Sequence, residues 1–306
     1  MIRRPPRSTL DRSSAASDVY KRQGIGISMK AFFLLITFVC CANTHAQVVD
    51  QPIVINGHFD KFTTDELGNS YTLHGDELEL FNTEGKSWLR NSVKTFGRIG
   101  NIDAFYSLKP MLFAPEQGQL VVLDNTLSVQ GSVMNLSRSG FTQVVLACMS
   151  VQNHFWFYDE REMGLVRVDA QLRRTANTGR IDQLLGFTVH PVCMQEYDNW
   201  LYVHDKEHGL LVFDLFGTYA RTIPLLNMQS FEVRGGVIYF YGEDGLQRYD
   251  MRSFEITPIE IPLPESETIR DVRVELGRSY VCLLYTSPSP RDRTRSRMPS
   301  SALKKK

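Results

Sequence analysis

The sequence predicts an all-β fold, a β-propeller, on three observations. An aliphatic or aromatic residue followed by Asp or Asn recurs as Phe81-Asn82, Leu123-Asp124, Val168-Asp169, Phe213-Asp214 and Tyr249-Asp250. The successive spacings are 42, 45, 45 and 36 residues, enough for a four-stranded blade and more than one hairpin can fill. Between these pairs lie short runs rich in Val, Ile, Tyr, Phe and Trp, broken by Gly, Asn and Asp, and no long amphipathic helical stretch.

The third and fourth repeats define the unit. His154–Asp169 (HFWFYDEREMGLVRVD) aligns without a gap over Asn199–Asp214 (NWLYVHDKEHGLLVFD), Gly164 over Gly209 and Leu165 over Leu210. Each reads as strand, polar hairpin, strand, ending at an Asp whose side chain can cap an Asx turn into the next strand. The fifth repeat, Val237–Asp250, has one residue fewer in its hairpin, and the first, Asn69–Asn82, ends in the turn Asn82-Thr83-Glu84-Gly85. The second, Met111–Asp124, is the most divergent and carries Pro115 at its hairpin. Upstream of each hairpin an apolar segment such as Val144–Met149 or Val192–Met194 predicts the innermost strand. Downstream, a more polar one such as Lys86–Asn91 or Thr218–Ile223 predicts the outermost. Four antiparallel strands per unit, stacked around an axis, bury both faces of every blade and leave only short edges.

Five repeats are complete, and Ile269–Tyr280 begins a sixth. The expected count is therefore six blades with the last truncated, seven being the alternative if sequence is missing. Ile53–Ile55 is the candidate closing strand, a device that removes an open edge.

The two ends differ in composition from everything between them. Met1–Gln23 and Cys282–Lys306 are rich in Arg, Ser and Pro, and both resemble translated sequencing-adapter read-through. Met29 offers a better start. Lys30 precedes the apolar run Ala31–Ala42, and Thr44-His45-Ala46 supplies small residues for signal peptidase, with cleavage expected after Ala46. Twelve residues, eleven of them apolar, are too few to span about 30 Å of hydrocarbon, so no transmembrane span is expected. The predicted organisation is a leader over 1–28, a signal peptide over 29–46, a propeller over 47–281 and a disordered tail over 282–306. The product is expected in the periplasm or outside the cell.

The whole chain is formally neutral, but residues 47–281 hold 20 Lys and Arg against 31 Asp and Glu. That balance excludes nucleic acid as a partner, because phosphate binding depends on clustered cations. Cys148 and Cys193 lie 45 residues apart, an offset that places them at equivalent positions of neighbouring blades as buried free thiols. 

The Asp-terminated repeats resemble the six-bladed propellers of the NHL and quinoprotein-like kind, over nearly all of residues 47–280. The resemblance is one of architecture. It implies a channelled disc used mostly to hold partners and, in a minority, a small-molecule site at the centre of one face. The sialidase Asp-box, the Trp-Asp blade ending, the Tyr-Trp-Thr-Asp motif and the glycine and tryptophan signature of the quinoprotein docking repeat are all absent.

Hairpins between second and third strands share one face of a propeller. Their tips carry Asp76 and Glu77, Glu116, Asp159 and Glu160 with Glu162, Asp205 and Glu207, and Glu243 and Asp244. A carboxylate from every complete blade predicts an acidic rim that attracts a basic protein or peptide. His204 and His208 with Asp205 and Glu207 are the densest set of metal-ligand types, but a hairpin need not turn them to one point, so no metal is expected. His190, Arg180 and Asp182 form an alternative central site for acid and base work. Without a paired nucleophile, catalysis is not the primary reading, and no cofactor is expected. Phe155, Trp156, Trp200 and Tyr202 are assigned to packing between blades. The expected function is that of an exported, monomeric, non-catalytic binding module; an exported hydrolase or lyase is the alternative.

Overall fold

The computed structural model describes residues 52–106, 108–261 and 268–284. The chain divides into two compact units, 1–52 and 53–306; the described residues belong to the second except for Pro52. The expected leader, the signal peptide and the tail from residue 285 onward lie outside the described residues.

Five four-stranded antiparallel sheets follow one another along the chain. The first comprises β1 (Lys61–Thr64), β2 (Ser70–His74), β3 (Glu77–Phe81) and β4 (Ser87–Ser92). The second comprises β5 (Asn101–Asp103), β6 (Met111–Ala114), β7 (Gln119–Val122) and β8 (Met134–Asn135). The third comprises β9 (Val144–Ser150), β10 (His154–Asp159), β11 (Gly164–Val168) and β12 (Arg174–Asn177). A single helical turn, α1 (Ile181–Leu185), leads into the fourth: β13 (Pro191–Tyr197), β14 (Trp200–Asp205), β15 (Gly209–Asp214) and β16 (Tyr219–Ile223). The fifth comprises β17 (Met228–Arg234), β18 (Val237–Gly242), β19 (Gly245–Asp250) and β20 (Ile256–Pro258). A last sheet has two strands, β21 (Thr268–Glu275) and β22 (Arg278–Leu284). The first strands of successive sheets touch in cyclic order, β1 to β5, β9, β13, β17, β21 and back to β1, which makes them the inner wall of a propeller.

The recurring Asp and Asn residues build the turn into each outer strand. Oδ1 of Asn82 accepts the amides of Glu84 and Lys86; Asp124, Asp169 and Asp214 accept those two and four residues on, and Asp250 those of Arg252 and Ser253. An ionised carboxylate satisfies two turn amides at once; the Thr126 hydroxyl with the turn amides holds the carboxyl of Asp124 below the usual range, and the turn amides hold those of Asp169 and Asp250 there.

Apolar cores lie between sheets, because each strand turns alternate residues to its two neighbours. Phe155 and Phe157 face the second blade, while Trp156 and Tyr158 join Leu201, Val203 and Phe213 between the third and fourth. Tyr202, Leu210 and Val212 pack toward the fifth. Inner strands of different blades have no ladder between them, and polar side chains bridge the gap. Asp103 accepts the amide of Met149, Gln195 that of Val233, and Glu232 that of Val274. Glu196 accepts both Val151 N and, at 2.6 Å, Trp156 Nε1.

The structure departs from the sequence reading in five places. The blades number five, all of them the repeats expected to be complete, and not six or seven, since the last sheet has two strands among the described residues. Ile53–Ile55 forms no strand and is largely exposed. The strand β22 runs through Leu284, three residues beyond the boundary drawn at Val281. The gapless alignment of the third and fourth repeats slips by one residue before the hairpin: Asp159 pairs with Gly164 and Asp205 with Gly209, so the fourth hairpin is one residue shorter and Trp156 matches Tyr202. Cys148 and Cys193 are free, as expected, but not equivalent, because Cys148 lies opposite Trp156 and Cys193 opposite His204.

Candidate functional site

Connections between second and third strands emerge on one face of the ring, together with the links from each blade to the next. Connections between first and second strands emerge on the other. The expected acidic rim belongs to the first of these faces, and the structure divides its members. Asp159 and Asp205 are buried. The short Asp side chain folds back on its own turn, so Asp159 accepts Arg161 N. Asp205 accepts the amides of Glu207, His208 and His190, and Nδ1 of His208 at 2.8 Å. Burial pushes its carboxyl up, but these bonds prevail and hold it below the usual range.

Three more rim carboxylates are paired. Glu77 meets Arg90 at 3.5 Å, Glu116 meets Arg98 at 3.7 Å, and Glu162 forms a fork with Arg174. Asp76, Glu160, Glu207, Glu243 and Asp244 are exposed, and their side chains bond to no other described residue. Arg161 and Lys206 lie in the same hairpins, so the rim is mixed in sign rather than uniformly acidic.

Arg180 closes on Asp182 at 2.6 Å at the start of α1, and no hydrogen bond or ion pair joins His190 to either. His190 is exposed at the entry to β13, on the hairpin face, where only its amide is engaged. His204 and His208 diverge. His204 is buried against Phe231, with Cys193 Sγ 3.8 Å from Nδ1 and no partner for Nε2. His208 stacks on Phe187 with ring centroids 3.6 Å apart. No group of three potential metal ligands occurs among the described residues. Of the four assigned aromatics, Phe155, Trp156 and Tyr202 are buried between blades, whereas Trp200 is 38% exposed. The one-residue slip gives it the place of His154 at the strand start.

The opposite face holds a cavity of about 280 Å³ that the sequence reading did not anticipate. Phe105, Tyr197 and Tyr239 supply its rings, Arg234 and Glu275 its buried charges, Val274 an apolar wall, and Glu66 and Leu276 part of its lip. Tyr197, Arg234 and Glu275 each close a first strand immediately before a two-residue turn: Asp198-Asn199, Gly235-Gly236 and Leu276-Gly277. Both residues of each turn have positive φ, the conformation that a tight hairpin with native twist demands. Leu276 adopts φ 50° there, a strained choice for a branched side chain, and is 72% exposed.

Arg234 organises the cavity floor. Its Nε donates to Glu275 Oε1 at 2.8 Å, Nη1 to Val233 O at 3.0 Å, and Nη2 to Glu232 Oε1 at 2.6 Å and to Glu275. The guanidinium carbon lies 4.2 Å from the centroid of Phe105. Burial, together with the neighbouring charge and hydrogen bond of Glu232, raises the carboxyl of Glu275 to about 7 despite the bond from Arg234. Deeper toward the axis, Arg273 stays firmly protonated; burial opposes this, but Asp271 at 3.4 Å, Glu232 and Asp103 outweigh it.

No protein-family model matches the sequence, and no curated protein does. Solved structures match the fold. A streptogramin B lyase aligns with a TM-score of 0.50 at 11% identity, over 72% of this chain and 75% of that one. A catalytically inactive variant of virginiamycin B lyase from Staphylococcus aureus, solved with quinupristin, aligns with a TM-score of 0.50 at 12% identity, over 72% and 76%. The WD40 domain of Neurospora crassa Pan2 aligns with a TM-score of 0.47 at 6% identity, over 66% and 65%. At such identities the likeness is one of fold, and the chain is a β-propeller.

Proposed function

We propose that this chain is an exported, non-catalytic propeller that binds a basic protein or peptide through the face carrying its β2–β3-type hairpins. The observation that carries this reading is the set of five exposed carboxylates without side-chain partners among the described residues, Asp76, Glu160, Glu207, Glu243 and Asp244, spread over four of the five complete blades. Carboxylates fixed on rigid hairpins speed encounter with a cationic surface and lose that effect as salt rises. The hydrolase or lyase alternative draws little support from His190, Arg180 and Asp182, because Arg180 and Asp182 pair with each other and no hydrogen bond or ion pair joins His190 to them.

The two-stranded last sheet, seated between β17 and β1, is read as an incomplete sixth blade, in keeping with the six-bladed NHL-like resemblance. Export rests on the segment Met29–Ala46. Expression in a Gram-negative host followed by N-terminal sequencing should find Gln47 first; a mature product that retains residues 29–46 would contradict export. For binding, the probe is oligolysine. Replacing the five carboxylates by their amides should flatten the salt dependence of the association rate, and an unchanged dependence would remove the hairpin face as the docking surface.

A further inference from the structure

The cavity lies on the face opposite the hairpin rim and stands independently of it. Its composition resembles neither a catalytic centre nor an anion site. The donors of Arg234 are directed at Glu232, Glu275 and the Val233 carbonyl, so an incoming anion would have to displace protein groups. Two buried carboxylates, Glu232 and Glu275, pair with the Arg234 guanidinium, and three aromatic rings line the cavity together with Glu275. An ionised carboxylate in a partly dry cavity is costly and is relieved by a proton or by a cation. Ring faces add attraction for a positive group, and Arg234 over Phe105 already shows one such pairing within the cavity. The volume, about nine waters at roughly 30 Å³ each, suits a single side-chain-sized ligand rather than a chain.

We propose that this cavity, walled by Phe105, Tyr197 and Tyr239 and floored by Glu275, binds an organic cation: one ammonium or guanidinium group on a short apolar stem. The cation meets Glu275 from above while Arg234 holds the carboxylate from the side. Neutral analogues are disfavoured because they gain nothing from the ionised form of the Glu275 carboxyl. The same chemistry arrives either as a free amine or as a Lys or Arg side chain of a peptide, and the two sources are separable by experiment.

Burial, Arg234 and Glu232 set the ionisation of the Glu275 carboxyl; the other charged groups facing it are Arg278, paired with it on β22, and Glu66, which also lines the cavity. Since that carboxyl titrates near 7, a cation that requires its ionised form should bind about tenfold more tightly at pH 8 than at pH 6.

The test is calorimetric titration of the full chain with phenethylamine, with neutral phenylethanol, and with a capped Gly-Lys-Gly peptide. Saturable binding of phenethylamine or of the peptide, at least about tenfold tighter than phenylethanol and tightening with pH, is the expected result. Binding by the amine alone would assign a small molecule as the ligand, and binding by the peptide alone a basic side chain. Glu275→Gln should weaken binding about tenfold and abolish its pH dependence. Because that change also loosens the floor, Glu66→Gln at the lip provides a second variant outside the Arg234 hydrogen bonds, expected to lose about threefold. No saturation by either cation, equal affinity for phenylethanol, or pH-independent binding to the unaltered chain would overturn the proposal. None of these results bears on oligolysine binding at the hairpin rim.

Discussion

Between the third and fourth blades, Trp156, Leu165, Leu201, Val203, Leu211 and Phe213 pack with essentially no exposure, and Glu196 ties the indole of Trp156 to the backbone of the third blade. Between the last sheet and the first blade the contacts are of another kind. Arg270 donates to the carbonyls of Phe59 and Asp60 at 2.7 and 2.6 Å, Arg278 to that of Thr83, and Tyr280 to that of Gly68. No buried apolar cluster bridges that seam among the described residues, and the core joining the last sheet to the fifth blade has only Leu246, Val272 and Val274 fully buried. Apolar burial contributes about 25 cal/mol per Å² and survives salt, whereas exposed hydrogen bonds contribute little net. The ring is therefore strong where aromatic faces interlock and weak where its first and last sheets meet.

The largest expected effect is on the strong side. Trp156→Ala should cost about 3–5 kcal/mol in urea unfolding, because it empties a fully buried site and strands a carboxylate oxygen of Glu196. A cost near that of a seam substitution would break the comparison. Next comes Glu196→Ala, which leaves Trp156 Nε1 and Val151 N without their acceptor and should cost about 2–4 kcal/mol by the same measurement. On the weak side, Arg270→Ala should cost about 1 kcal/mol and act mainly on β21 and β22.

The cavity sits at the edge of this seam and adds a pH signature. The folded Glu275 carboxyl, raised to about 7, holds a proton that the unfolded chain releases near the usual 4.5. Its contribution is complete below about pH 4.5 and is lost as pH rises through 7. Burial depresses the protonation of His204 and acts with the opposite sign, removing stability as pH falls through the ordinary histidine range. The difference between the unaltered chain and Glu275→Gln, measured by urea midpoint at pH 5 and pH 8, isolates the carboxyl. The unaltered chain should lose relative stability toward pH 8; a constant difference would contradict the assignment.

Much of the fold was legible because its signals are local. An Asp or Asn that accepts amides two and four residues ahead acts within one turn, so the repeat can be read without knowing the tertiary structure. Face assignments were harder. A one-residue difference in hairpin length reverses every side chain on the preceding strand, which is why Trp200 and the equivalence of the two cysteines were misread while Trp156 was not. Similarly, Asp159 and Glu160 read alike in sequence, but only the shorter side chain reaches its own turn and becomes buried. The cavity was not legible as a site because its residues come from four blades and the last sheet and meet only when the ring closes. One signal was available: Tyr197, Arg234 and Glu275 share the position before a two-residue turn, and all three line the cavity.

Native-state hydrogen exchange on the full chain tests the account most directly, since it reads the opening free energy of each strand separately. Amides of β10, β14 and β15 should exchange only through global unfolding, while those of β21 and β22 should exchange through a smaller opening that Arg270→Ala makes easier still. Protection in β21 and β22 equal to that in β14, and insensitive to Arg270, would contradict the claim that the ring is weakest where its ends meet.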